Sequence, residues 1–141
     1  MRVINLIENT PGTADCLCEH GLSFYIETKN HKLLADTGAS DAFLANAEHL
    51  GIDLKQVDTV VLSHGHYDHG GGLAAFARLN PEARIWMHRV AGEAYYHRNA
   101  AMEKYIGISR EAKSLPGIEW VEGDLRIDEE LFLFGHVTGR R

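Results

Sequence analysis

Short runs of β-branched and aromatic residues, separated by polar turns, fill the first quarter of the chain. Residues 1–7 and 22–28 have this composition, and residues 32–35 form a third run after a polar stretch at 29–31. Such runs, bounded by turn residues, are typical of β-strands. The pattern therefore predicts a first strand, a loop, and then a β-hairpin.

Two later segments have the spacing of amphipathic helices. Residues 41–50 place apolar side chains on one face, with Ser40 as the predicted N-cap and Gly51 as the stop. Residues 73–79 have the same periodicity and end before Pro81. The apolar face of the first helix comprises Phe43, Leu44, Ala47 and Leu50.

A continuous apolar run at residues 58–63 is typical of a strand that is covered on both faces. Together with the helix at 73–79 and a further apolar run at 83–87, it predicts a βαβ unit. Residues 89–109 favour helix and loop. Residues 118–134 favour two or three short strands separated by turns.

Length and composition indicate one globular domain over residues 1–141, with 45% hydrophobic residues to form a core. The net charge of −6 argues against a nucleic-acid surface. No apolar run reaches the roughly 18 residues of a membrane span, and the apolar run at residues 3–7 is shorter than we expect for the core of a signal segment. We therefore expect a cytoplasmic protein that does not enter a membrane, with Cys16 and Cys18 reduced.

Ligand-type side chains are concentrated directly after the run at 58–63. His64, His66, Asp68 and His69 lie within six residues and are followed by three glycines. Imidazole and carboxylate groups suit zinc, with manganese, iron or cobalt as alternatives, and the histidines exclude an all-oxygen calcium site. The competing interpretation is an ordinary polar loop. The density of ligands favours a metal site.

The pattern His64-x-His66-x-Asp68-His69 after a buried strand, with Asp36-Thr37-Gly38 ending an earlier one, resembles the metallo-β-lactamase fold superfamily of metal-dependent hydrolases. The segments 19–23, 34–38 and 62–73 are similar to the branch of dihydropterin ribofuranosylaminobenzene phosphate synthase-like proteins. The resemblance implies an α/β fold, the αββα sandwich. This chain would cover about one αβ half, a mixed sheet with helices on one face.

The same resemblance implies a two-metal centre, with His64 and His66 on one ion and Asp68 and His69 on the other. Asp36 would orient a ligand histidine, although a turn or capping role is the alternative for this residue. The implied cofactor is one or two Zn²⁺ ions, or else Mn²⁺ or Fe²⁺. The implied chemistry is hydrolysis of a small-molecule substrate by metal-activated water, with Asp68 as the catalytic carboxylate that holds or passes on a proton.

The resemblance implies a third histidine, a metal-bridging aspartate and a final histidine from a second αβ half, whereas this sequence ends at Arg141. Further ligand histidines are expected from a second half, and the candidates here are His88 and His136, whose alternatives are a strand-end and a turn histidine. His20 could approach the site through its loop. We therefore expect either a chain truncated at its C-terminus or a half-fold that self-associates as a homodimer in place of the missing C-terminal half. A non-catalytic metal-binding or interaction module is the alternative to an enzyme.

Overall fold

A six-stranded mixed sheet dominates the computed structural model, which describes residues 1–12 and 15–135. The strand order is β1-β2-β3-β4-β5-β8. Two separate hairpins, β6–β7 and β9–β10, complete the described strands. The strands are β1 (Arg2–Ile7), β2 (Ser23–Glu27), β3 (Lys32–Ala35), β4 (Thr59–Leu62), β5 (Arg84–His88), β6 (Tyr96–Arg98), β7 (Glu103–Tyr105), β8 (Ile118–Val121), β9 (Leu125–Arg126) and β10 (Phe132–Leu133). The helices are α1 (Ala42–His49), α2 (Tyr67–Gly70), α3 (Leu73–Leu79) and α4 (Arg110–Lys113).

The sheet changes from antiparallel to parallel at β3. Strands β1, β2 and β3 pair antiparallel, whereas β3, β4, β5 and β8 pair parallel. Parallel neighbours require crossover connections, and these contain α1, then α2 with α3, and finally α4. The carboxyl ends of β3 and β4 therefore lie side by side at one edge of the sheet.

One face of the sheet carries the core. Leu34, Val60 and Ile85 are aligned across β3, β4 and β5 and are almost fully buried. Phe43 of α1 and Phe76 of α3 belong to the same hydrophobic cluster and are fully buried. Burial of each such side chain contributes about 1.5–3 kcal/mol. The core thus holds the helices against the sheet and fixes the strand ends.

Most of the elements predicted from the pattern are confirmed, including β3 and α3 at their predicted bounds. The predicted cap of the first helix is wrong by one residue: the N-cap is Asp41, which makes no capping bond with its side chain. Ser40 instead accepts a hydrogen bond from the Ala42 N–H at 3.1 Å and donates one to Glu19 Oε2 at 2.7 Å. Two or three strands were predicted at residues 118–134, and three are present as β8, β9 and β10. The two cysteines are free.

The helix predicted within residues 89–109 is absent from the structure. A 3₁₀ turn at Arg89–Gly92 is followed by the β6–β7 hairpin, in which Tyr96 pairs with Tyr105. The turn between these strands is held by the side chain of Asn99, which accepts hydrogen bonds from the N–H groups of Ala101 and Met102. Tyr96 and Tyr105 therefore belong to a β-hairpin and not to a helix.

The opposite face of the sheet is only partly covered. Val61 and Trp86 are aligned on β4 and β5 and line a groove of about 450 Å³ together with Phe132 and Phe134 of the β9–β10 region. Phe134 is 67% exposed. None of the helices within the described ranges has the length and hydrophobicity needed to cross a bilayer.

A polar contact holds the β9–β10 hairpin to the turn between β2 and β3. His31 lies between two carboxylates, with Nδ1 2.8 Å from Asp58 Oδ1 and Nε2 2.6 Å from Asp128 Oδ2. Glu130 accepts hydrogen bonds from the Thr28 hydroxyl and the Asn30 side chain at 2.6 and 2.7 Å. The hydrogen bond to Asp58, supported by that to Asp128, raises the pKa of His31.

This contact predicts a pH-dependent part of the stability. Because the folded-state pKa of His31 is raised, protonation stabilises the folded chain below the ordinary histidine pKa near 6.5, and this contribution is lost as pH rises through the raised value. Replacement of His31 by Gln should therefore destabilise the chain more at pH 6 than at pH 9, as measured by urea unfolding. The matched control is His49→Gln at the exposed end of α1. An equal decrease in the free energy of unfolding at both pH values would contradict the prediction.

Candidate metal centre

The ligand-rich segment is a tight loop at the carboxyl end of β4. Ser63 to His66 leave the strand, His66 caps α2 with an extended backbone, and Asp68 and His69 lie in that short helix. The loop has no room for a side chain at Gly65, where a Cβ would lie 2.2 Å from the carbonyl oxygen of Ala91. Close backbone contact therefore explains why glycine separates the first two histidines.

Three of the predicted ligands converge. Ligand atoms of His64, Asp68 and His69 all lie within 4.8 Å of one another. His66 falls outside this group, although its ring centroid is 4.6 Å from that of His64. Two imidazoles and a carboxylate form a donor set suited to zinc or a similar divalent ion. The residues present therefore fit a metal ion by their chemistry.

Asp36 supports this group from the end of β3. Its carboxylate is buried and accepts hydrogen bonds from the N–H and the hydroxyl of Ser63, both at 2.7 Å. The Nδ1 atom of His69 lies 2.7 Å from the same carboxylate oxygen that accepts the Ser63 hydroxyl. Asp36 has a φ of 57°, in the left-handed region that aspartate tolerates better than most residues.

These hydrogen bonds determine which nitrogen of each imidazole is free. A carboxylate can only accept, so His69 donates from Nδ1 and keeps a lone pair on Nε2. The Ser63 hydroxyl donates to Asp36, so its oxygen accepts from Nδ1 of His64, 2.9 Å away. Both histidines thus present Nε2 as the free lone pair. Outer hydrogen bonds of this kind commonly orient metal-ligating histidines.

Electrostatics favours neutral imidazole at His64. Burial lowers the pKa of His64, and the neighbouring His69 and His66 lower it further. A lowered pKa keeps the ring unprotonated near neutral pH, which is the form that binds metal.

Three other histidines were considered as ligands, and their positions relative to His64, Asp68 and His69 differ. Nε2 of the exposed His20 is 3.4 Å from Asp68 Oδ2, so its loop does reach the site. The ring nitrogens of His88 lie 3.3 Å from the Val90 nitrogen and 3.4 Å from the Gly123 nitrogen, and His88 is not one of the clustered residues. His136 lies outside the described residues.

Three further residues support the site. Ser63 connects Asp36 to His64. Glu19 accepts hydrogen bonds from the N–H groups of Ala39 and Ser40, in the loop that follows Asp36. The ring of Tyr95 meets that of His66 edge to face at 5.3 Å. Glu19 and Ser63 carried no sequence signal for these roles beyond their presence in the segments 19–23 and 62–73 that resemble the family.

A wide groove lies away from the histidine motif. It has a volume of about 890 Å³ and is lined by α1, the turn after it and neighbouring loops, without any residue of the histidine motif. The position of this groove therefore does not locate the candidate site, whereas the converging ligand atoms do.

Comparison with known proteins agrees with this geometry. A sequence profile of the Metallo-beta-lactamase superfamily matches residues 17–140. The chain belongs to this superfamily. A solved structure described as a metal-dependent hydrolase of the β-lactamase superfamily is 31% identical, with a TM-score of 0.76 over 94% of this chain and 47% of its own. The mixed sheet with helices on one face is the metallo-β-lactamase-like α/β fold.

Two curated relatives come from Methanocaldococcus jannaschii. An uncharacterized protein is 30% identical over 94% of this chain and 52% of its own length. A 7,8-dihydropterin-6-methyl-4-(β-D-ribofuranosyl)-aminobenzene-5′-phosphate synthase is 38% identical over 50% of this chain and 26% of its own. This metallo-β-lactamase superfamily chain thus spans about half, or less, of the length of these relatives.

Proposed function

We propose that this chain provides the metal-binding half of a hydrolase that acts on a small-molecule substrate. The observation that carries the proposal is the convergence of His64, Asp68 and His69 at the end of β4, with Asp36 bonded to His69. Membership of a superfamily of metal-dependent hydrolases supports it. Zn²⁺ is the proposed ion, with Mn²⁺ or Fe²⁺ as alternatives that the same donor set accepts.

The roles of the residues follow from their contacts. A divalent ion held here would supply a Lewis acid and a water whose pKa is lowered toward about 7. His64 and His69 offer Nε2 lone pairs, and Asp36 and Ser63 hold both rings in that tautomer. Asp68 Oδ2 lies 3.5 Å from His69 Nε2 and 3.4 Å from His20 Nε2. Asp68 is therefore placed to act as a ligand and to hold or pass on a proton.

Metal content and turnover together test the proposal. The purified chain should retain divalent metal through gel filtration, as measured by elemental analysis. It should hydrolyse a generic phosphoester or lactone when a second copy or the C-terminal half completes the site. A chelator should remove both properties, and added Zn²⁺ should restore them. A chain that holds no metal at neutral pH would contradict the proposal. One weakly held ion without turnover would support a non-catalytic metal-binding module instead.

His66 distinguishes one-ion from two-ion arrangements. In the two-ion arrangement that the family motif implies, His66 shares the first ion with His64, and His66→Ala should strongly reduce the metal content while the βαβ core stays folded. The loop lies outside that core, so circular dichroism should be unchanged. The measurement is the number of ions per chain in the variant and the wild type. An unchanged number would remove His66 from the ligand set.

A second candidate, a self-associating half-fold, is favoured by the sheet face that is only partly covered. Val3, Phe132 and Phe134 are at least half exposed, and Trp86 Nε1 is buried without a hydrogen-bond partner among the described residues. Exposed apolar surface of this kind predicts association, either with a second copy of the chain or with a missing C-terminal half. Either partner could complete the metal centre.

Sedimentation velocity tests this candidate. The chain alone should form a dimer at micromolar concentration, and Phe132→Ser should shift it toward monomer because the substitution removes apolar surface from the exposed face. Leu79→Ser at the exposed end of α3 is a control outside the groove that contains Phe132. A wild-type chain that stays monomeric and soluble throughout would count against self-association.

A further inference from the structure

The β6–β7 hairpin is hydrogen-bonded at its base to the loop that carries the histidines. The Tyr67 N–H donates to the Ile106 carbonyl at 2.8 Å, and the Ile108 N–H donates to the Gly65 carbonyl at 3.2 Å. His66 also forms an isolated antiparallel bridge with Gly107. The hairpin therefore sits directly beside the candidate metal centre.

The two faces of the hairpin differ in their contacts. Tyr96 and Tyr105 are paired across the strands and their rings meet at 5.5 Å. Side chains alternate along a strand, so the paired residues His97 and Lys104 lie on the other face. Tyr95, one position before Tyr96, shares that second face.

That second face is the one turned toward the histidine loop. The ring of Tyr95 lies 5.3 Å from that of His66. The Nζ atom of Lys104 lies 5.4 Å from the centre of the Tyr67 ring, a cation–π distance. Tyr67 lies between His66 and Asp68 in the sequence, so Lys104 contacts the segment that carries the candidate ligands.

Lys104 carries its charge without a carboxylate partner within the described ranges, since none of the ion pairs there includes it. Arg98 on the opposite face, by contrast, is paired with Glu103. An ammonium group that is positioned by an aromatic ring but not neutralised by a carboxylate can bind an anion from solution. Its rotatable donors suit a compact anionic group.

We propose that Lys104 binds the anionic group of the substrate, so that the site selects small organic anions over neutral molecules. The proposal rests on the metal-centred function proposed above, because it places the anion beside that centre. Lys104 is then a specificity-determining residue contributed by a hairpin, not by the histidine motif.

Binding of phenylphosphonate, which contains no hydrolysable ester, tests the proposal by calorimetry. Lys104→Met keeps the apolar stem and removes the charge, and it should raise the dissociation constant about tenfold. Lys104→Arg should restore most of the affinity. Lys29→Met, in the exposed turn before His31, is the matched control and should bind like the wild type. The difference between wild type and Lys104→Met should shrink as salt rises from 50 to 500 mM.

Two further probes define the class of anion. Benzoate should show a similar dependence on Lys104 if any compact anion is accepted, and a smaller one if the site prefers phosphonate. Benzyl alcohol, which is neutral, should bind equally to wild type and Lys104→Met. Equal dissociation constants of phenylphosphonate for wild type and Lys104→Met would overturn the inference, as would the absence of any binding.

Metal content measured on the same samples separates this inference from the proposed function. If the wild type holds metal and turns over substrate, but Lys104→Met binds phenylphosphonate unchanged, only the role of Lys104 is lost. If the wild type holds no metal, the proposed function fails. The comparison of wild type and Lys104→Met in the metal-free state then still decides whether Lys104 binds anions.

Discussion

Replacement of His69 by alanine is expected to weaken divalent-metal binding by more than about 100-fold. The substitution removes one of the three converging donors, and loss of an outer hydrogen-bond partner alone costs about 10–100-fold in related sites. The fold should persist, because the His69 backbone carbonyl, which accepts from the Thr37 N–H at 2.7 Å, is unaffected. Competition with a chromophoric zinc chelator measures the affinity.

The matched control for this prediction is His49→Ala. That histidine lies at the exposed end of α1, so its removal changes the histidine count without touching the site. Circular dichroism should report the same secondary structure for both variants. Wild-type zinc affinity in a folded His69→Ala chain would show that the three converging side chains do not form the binding site.

Asp36→Asn is expected to lower metal affinity by about 10–100-fold although every proposed ligand remains. If the asparagine NH₂ replaces Oδ2, it faces Nδ1 of His69, and that nitrogen must then accept. The proton of His69 moves to Nε2, and the lone pair for the metal is lost. If the amide is flipped, its NH₂ faces the Ser63 N–H, which is a donor beside a donor.

Two measurements test the effect of Asp36→Asn. Zinc competition should show the loss of affinity, and ¹⁵N NMR of the metal-free chain should show His69 protonated on Nδ1 in the wild type and on Nε2 in the variant. In the presence of chelator, the free energy of unfolding of Asp36→Asn should be about 1–3 kcal/mol lower than that of the wild type, which is the penalty of one poorly satisfied buried polar group. Asp41→Asn is the control, since Asp41 makes no capping bond with its side chain. An unchanged tautomer together with unchanged affinity would refute the role of Asp36.

The sequence was most informative where the chemistry is contiguous. His64, Asp68 and His69 are separated by few residues, so a strand followed by a tight loop already predicts that their side chains lie close together. The role of Asp36 came only from the family motif, because its contact with His69 depends on the parallel pairing of β3 and β4. The bridge through Ser63 depends further on the left-handed backbone of Asp36, which no local pattern predicts.

The β6–β7 hairpin shows why other parts of the structure were not predicted from the sequence. All six residues of its strands are exposed, so the alternation of apolar and polar residues that marks a half-buried strand is missing. Its turn uses Asn99 without glycine or proline, the usual turn signals. The contact of His31 with Asp128 joins residues far apart in the sequence and follows from the packing of the β9–β10 hairpin alone.

The shared use of the Asp36 carboxylate has a thermodynamic consequence. Asp36 Oδ2 accepts hydrogen bonds from both His69 Nδ1 and the Ser63 hydroxyl, and that hydroxyl also bonds to His64 Nδ1. The two imidazoles are therefore energetically coupled through one atom at the end of the neighbouring strand. In a double-mutant cycle, Ser63→Ala should therefore cost much less zinc affinity in the Asp36→Asn background than in the wild type. A change at the end of β3 would then disturb both imidazoles at once, although neither histidine is itself altered.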